Sequence, residues 1–386
     1  MTATPEPVRP AFRGPLEGQR LAPVRSFGGD VWLLLAVLAL LAIGLVMVFD
    51  VGYFHSQETF GDPYHFFRKH LGAIGIGIAV GCLTSRVSPA QWRRAAYPLL
   101  LTALAALLLV LIPGVGMVRG GARRWIHLGP VAFQPTEIVK FAIVLFLAHS
   151  LTKKGTKVEQ FAIGVVPHCL VVGLIAGLCL LEPDFGTVVL AGMLLVAMLF
   201  VGGVRPRHLV MLMGAGVPVL LGLFLLAPYR INRITAFLHP DADPRGLGYQ
   251  LLQSFTAFGS GQLWGVGLGN SRQKMFYLPA AHTDFIYSVI GEELGLVGAL
   301  LVLALFVVVA ARGFRIALRH PDRFASLLAF GTTLLIVFEA MVNVAVVLGR
   351  MPTKGLALPF VSYGGSAVML ALAEVGVLVA LAREVE

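Results

Sequence analysis

At 386 residues, 57% of them apolar and 13% charged, with a mean hydropathy of +0.84, the chain has too few polar groups to clothe a soluble fold. Soluble domains carry about 25% charged residues, so lipid must be the missing solvent. The apolar runs extend from end to end, which excludes a set of soluble domains. The formal charge of +10 is scattered over short loops, a pattern of membrane topology and not of a nucleic-acid stripe.

Residues 1–29 are rich in Pro and Arg and lack the apolar core of a cleavable signal. They read as a mobile cytoplasmic tail. Residues 30–386 then read as one membrane domain. Runs able to cross about 30 Å of hydrocarbon fall at about 31–49, 70–86, 96–112, 131–150, 161–181, 186–203, 208–228, 285–311, 325–347 and 362–382. The expected fold is therefore all-α and polytopic, with about ten transmembrane helices and both termini on one side. With the N-terminus inside, the inner segments hold seventeen Lys and Arg and the outer segments twelve. The bias favours that orientation. Twelve outer cations exceed what topology asks for, and an anionic ligand at the outer surface would explain them. Cys82, Cys169 and Cys179 all lie in apolar runs, so neither a disulfide framework nor a zinc site is expected.

Several polar segments could carry chemistry. Before the fourth run, Arg123 and Arg124 adjoin Trp125. Paired guanidinium forks suit a phosphate or pyrophosphate, although lipid headgroups would serve equally well. Within that run, Glu137 and Lys140 are three residues apart and share a helical face, as interhelical glue or as substrate contacts. Glu182-Pro183-Asp184 breaks the chain between the fifth and sixth runs. It reads either as an ordinary tight turn or as carboxylates that hold a divalent cation or a sugar hydroxyl.

The connection at about 229–283 is the one long loop, on the outer side between helices 7 and 8. It holds Leu251, Leu252, Phe255, Phe258, Trp264, Met275, Phe276 and Tyr277, too much apolar surface for a disordered linker. Short helices at the membrane interface are expected there. The loop ends in His282-Thr283-Asp284, where Thr283 could N-cap the eighth helix with Asp284 in its first turn. Alternatively, Asp284 is a general base whose pKa is raised by partial desolvation. Glu292 is expected two turns further along roughly the same face, with Glu293 beside it. Near the end, 350–366 places two prolines and three glycines around a helix entrance. A helix broken at that depth should line a cavity, with Lys354 and Ser362 facing it. No phosphate-binding loop or dinucleotide fingerprint occurs.

Taken together these segments resemble the SEDS (shape, elongation, division and sporulation) family of bacterial membrane proteins. The matching stretches are GARRWI at 121–126, QPTE at 134–137, EPDFGT at 182–187, GVGLGNSRQK at 265–274, HTDFI at 282–286, GEELG at 291–295 and PTKGLALPFVSYGGS at 352–366. GVGLGNSRQK followed by MFYLP looks like the division and sporulation branch, FtsW and SpoVE, more than the elongation branch, RodA. The chain departs from the pattern at Ala280, where relatives commonly carry Glu, and at Gly120, where Asn is usual.

The resemblance implies ten helices, cytoplasmic termini and polymerisation of lipid II into β-1,4 glycan strands, with Asp284 as the catalytic aspartate. Expected substrate contacts are Arg123, Arg124, Trp125, Glu137, Lys140, Asp184, Gln253, Arg272, Lys274, His282, Lys354 and Ser362. No cofactor is demanded, although a divalent cation, Mg or Mn, could assist the leaving group. The implied partners are a class B penicillin-binding protein (an FtsI-like transpeptidase), other divisome membrane proteins, lipid II and membrane lipids, and no nucleic acid. The implied place is the bacterial inner membrane at the division septum. A lipid II flippase and a non-catalytic divisome scaffold are the rival readings.

Overall fold

The computed structural model describes residues 30–385 apart from 120, 121, 129, 130, 226, 227, 245, 247, 353 and 354. The expected tail at 1–29 and Lys354 lie outside the described residues. The described residues are mainly helical, with one small sheet. The helices are α1 (Val31–Phe60), α2 (His65–Thr84), α3 (Pro89–Leu111), α4 (Pro135–Lys154), α5 (Phe161–Gly164), α6 (Val166–Leu181) and α7 (Phe185–Val201). Then follow α8 (Pro206–Leu225), α9 (Pro228–Leu238), α10 (Tyr249–Gly261), α11 (Ile286–Glu293), α12 (Gly295–Arg319), α13 (Arg323–Val347) and α14 (Gly365–Ala382). Among the described residues, eight helical stretches are long and apolar enough to cross a membrane, with α5 and α6 counted together, and α7 is a shorter apolar helix. With α8, these correspond to the ten apolar runs, and the protein is a multi-pass membrane protein.

The helix starts are written in the sequence. Asp30 accepts from the Leu33 amide at 3.1 Å, an N-cap that satisfies a first-turn donor. Its carboxylate also receives Arg312 at 2.6 Å, which fastens α1 to α12. Ser88 and Gln91 form a capping box ahead of Pro89 at the start of α3. Asp322 opens α13 and takes Arg93 of α3 at 2.8 Å. At the centre, α4, α13 and α14 are buried along most of their length, whereas α2 and α3 expose broad apolar faces. That exposure is the mark of lipid-facing helices.

Two local features differ from expectation and one meets it. First, part of the segment before the fourth run is an antiparallel sheet, with β1 (Gly116–Arg119), β2 (Ala122–Leu128) and β3 (Val131–Phe133) in that order. The fourth helix therefore starts at Pro135. Secondly, the long connection is ordered by α9, α10 and a π-turn over Gln273–Tyr277, as its apolar content requires. Thirdly, the eighth run is two helices.

The break falls at Leu294–Gly295, where Gly295 takes φ +68°, a conformation glycine adopts without penalty. The 262–267 segment lies across this break. Leu296 and Val297 donate to the Gln262 and Leu263 carbonyls, while Val266 and Gly267 donate to those of Glu292 and Glu293. A Cβ on Gly295 would stand 2.4 Å from the Gly265 amide nitrogen. Gly295→Ala is therefore expected to destabilise the protein by about 2–4 kcal/mol through backbone strain and overpacking. Thermal unfolding in detergent would show it as a lowered Tm.

Candidate active site

Asp284 sits where the 278–285 loop meets the non-helical 355–364 segment, under the influence of Arg124, which is bonded to the α6–α7 turn. The loop is held through its backbone. Three consecutive carbonyls accept hydrogen bonds: His282 from the Tyr363 amide at 3.0 Å, Thr283 from Ser362 Oγ at 2.6 Å, and Asp284 from Asn343 Nδ2 at 2.9 Å. Ser362 Oγ in turn accepts from the Leu358 amide at 2.9 Å. Thr283 is not the N-cap: α11 starts after Phe285 with no side-chain cap, and Thr283 Oγ1 donates to the Ala280 carbonyl.

The Asp284 carboxyl is half-buried and has no hydrogen bond among the described residues. The Gly355 backbone lies against it, so close that a Cβ there would be 3.3 Å from Oδ2. Burial pushes the carboxyl up to about 6, against the opposing pull of Arg124 and Arg233. Such a group is ionised at neutral pH yet basic enough to take a proton. His282 stacks near Phe66 at 4.9 Å and His55 at 5.4 Å, with Tyr363 at 5.8 Å. Burial first, and His55 second, lower it to about 4, so the ring is neutral at pH 7.

Arg124 on β2 donates from Nε to the Glu182 carbonyl at 2.9 Å and from Nη2 to the Pro183 carbonyl. It therefore fastens the sheet to the α6–α7 turn. Arg123 donates to the Leu111 carbonyl at 3.2 Å, and Trp125 pairs with Met117 across the sheet. Asp184 caps α7, taking the Thr187 hydroxyl at 2.8 Å and its amide at 3.3 Å. Glu182 is fully buried with no hydrogen-bond partner at either oxygen among the described residues. Burial, then Asp184, raises it to about 8, which makes it a neutral acid at pH 7. Asp184 is thus committed and Glu182 uncharged, and the described residues contain no cluster of three acidic, His or Cys groups able to hold a metal. The residues do not fit a divalent cation, and no step is derived through one.

Other candidates have partners or positions of their own. Lys274 is buried, with its ammonium 2.7 Å from Asp50 of α1 and 2.8 Å from Glu293. Glu292 does not share a face with Asp284: it accepts from Ser271 Oγ at 2.5 Å and from the Arg272 amide at 3.1 Å. Both acids on α11 thus anchor the preceding loop. The Arg272 side chain is exposed, and Gln253 is half-buried on α10. Lys140 is buried between Glu137, at 2.8 Å, and Glu339 of α13. Asn343, Asp50, Arg233 and the aromatic column of His55 and Phe66 escaped sequence reasoning. For Asn343 there was a signal, since an amide inside an otherwise apolar run must have a partner.

The sequence matches the cell cycle protein family of FtsW, RodA and SpoVE over residues 31–386. The chain belongs to this family. Among its relatives, the probable peptidoglycan glycosyltransferase FtsW of Coxiella burnetii is 42% identical over 366 residues, covering 94% of this chain and 98% of that one. The stage V sporulation protein E of Bacillus subtilis is 43% identical over 355 residues, with 92% and 97% covered. In structure, the family likeness extends to a chain of a peptidoglycan synthase complex that coordinates polymerization and crosslinking. It has TM-score 0.76 and 31% identity, covering 93% of this chain and 99% of that one. The rod shape determining protein RodA of Thermus thermophilus gives TM-score 0.67 at 29% identity, with 93% and 98% covered.

Proposed function

We propose that this chain is an inverting peptidoglycan glycosyltransferase that polymerises lipid II, with Asp284 as its general base. The observation that carries the reading is the Asp284 carboxyl itself: half-buried, unengaged by any described donor, raised to about 6, and flanked by Arg124 and Arg233. The relatives named peptidoglycan glycosyltransferase support the reaction class.

In the reaction, the 4-hydroxyl of a GlcNAc attacks the anomeric carbon of a MurNAc linked to undecaprenyl pyrophosphate. Asp284 takes the hydroxyl proton, the new O–C bond forms, and the bond to the pyrophosphate oxygen breaks. The α-linked donor becomes a β-1,4 product in one displacement. Arg124 and Arg233 supply positive charge where the leaving group gathers negative charge, and Lys354 is a further cation for it. The neutral His282 ring and its aromatic neighbours form one wall beside the base. The partner we propose is a class B penicillin-binding protein, a reading supported by the likeness to a synthase complex. The place we propose is the septal inner membrane, with both termini in the cytoplasm.

Purified protein incubated with lipid II, with and without its transpeptidase partner, is expected to yield a ladder of glycan strands. Absence of the ladder under both conditions would transfer support to a flippase or a scaffold. The ladder also has a pH signature. The base works as the carboxylate, which is present above about 6 and lost below it. The initial rate should therefore fall as pH drops through about 6, approaching tenfold per unit. A rate independent of pH between 5 and 7 would remove Asp284 from the role.

A further inference from the structure

Asn343 lies on α13, an apolar helix packed against α4 and α12, and is 2% exposed. A buried amide is costly unless its donors are matched. Nδ2 has two N–H groups, and the carbonyls of Asp284 at 2.9 Å and Leu356 at 2.7 Å accept them. The opposite amide orientation would set Oδ1 against two carbonyl oxygens, so the pair of acceptors fixes the side chain. Those acceptors sit on two different non-helical segments. One is the backbone of Asp284 itself. The other follows Gly355, the residue that lies against the Asp284 carboxyl.

We infer that Asn343 is a positioning residue, a clamp from the rigid core of α13 that sets the Asp284 carboxylate at a fixed place beside the Gly355 backbone. The inference rests on Asp284 being the base. Without the amide, the Tyr363 and Ser362 bonds still tether the loop to its neighbouring segment. The chain still enters the core through buried Phe285 and Ile286 of the α11 start, but the Asp284 carbonyl and the Leu356 carbonyl lose their shared bond to α13. The catalytic oxygen would drift while the substrate-binding surface stayed in place, and displacement of about 1 Å can cost about 10²-fold in rate.

The test uses the full-length protein purified as Asn343→Leu, of similar size and without donors, and as Asn343→Ala, with Asp284→Asn as reference. Both Asn343 variants are expected to lower kcat for polymerisation about 10²-fold with KM for lipid II within about threefold. Hydrogen–deuterium exchange should rise in the peptides covering 280–286 and 354–358 and stay unchanged in α4. A merely structural role would instead lower thermal stability and raise exchange across the core, with kcat per folded molecule preserved. Variants with kcat within about threefold of the parent, or with unchanged exchange at 280–286, would overturn the inference. If Asp284→Asn is inactive while Asn343→Leu runs at full rate, the clamp alone fails. If Asp284→Asn also polymerises, the assignment of the base fails with it. Exchange at 280–286 reads the clamp even in protein that makes no polymer.

Discussion

Asp284→Asn is expected to abolish glycan polymer, lowering the initial rate at least 10³-fold, while the protein inserts, purifies and unfolds like its parent. The two halves of this expectation have separate causes. General-base catalysis supplies about 10²–10⁴-fold, and a neutral amide cannot take the hydroxyl proton. The fold is spared because the anchors of this loop grip carbonyl oxygens of residues 282–284 and not the carboxyl. Removing a partly desolvated charge leaves no donor orphaned among the described residues. A glycan-ladder assay on parent and variant, beside their thermal unfolding in detergent, decides the matter. Normal ladders from folded Asp284→Asn would end the assignment.

Lys274→Met should do the reverse and damage the fold more than the chemistry. Its ammonium lies between the carboxylates of Asp50 and Glu293 and is itself buried. Loss of the cation leaves two acids in a poorly hydrated place, and breaking a buried pair in this way costs about 3–5 kcal/mol. Thermal unfolding should show a large drop in Tm, reduced when Glu293→Gln is added to remove one orphaned charge. A pyrophosphate ligand would behave differently, with KM for lipid II rising and Tm unchanged. The two roles for Lys274 therefore have opposite signatures in one pair of measurements.

The membrane fold was legible because it depends on composition and run length, which a single sequence displays in full. Boundaries depending on local chemistry were legible where a cap or a proline marks them, as at Ser88-Pro89. The break at Gly295 was not. Its cause is the backbone of residues 262–267 lying across the helix, about thirty positions upstream, and a lone glycine in an apolar run carries no sign of that neighbour. The same limit applied to charges. Lys274 reads as an exposed loop cation until α1 delivers Asp50 beside it from 224 positions away. Glu292 seemed to share a face with Asp284 only while the two were placed on one continuous helix. Asn343 needed two carbonyls from separate loops before its presence in an apolar helix had a reason.

Arg124 places its described hydrogen bonds on the carbonyls of Glu182 and Pro183 at the C-terminal end of α6, where the helix dipole is negative. A diphosphate that recruits this guanidinium fully must therefore displace it from the turn. On the proposed reaction, capture of the diphosphate would then be an exchange of partners and not a simple gain, with a net attraction smaller than the charges suggest. The same exchange runs backwards once the glycosidic bond has formed. On the proposed reaction, the Glu182 and Pro183 carbonyls would then compete with undecaprenyl diphosphate for Arg124, which would favour departure of the spent lipid.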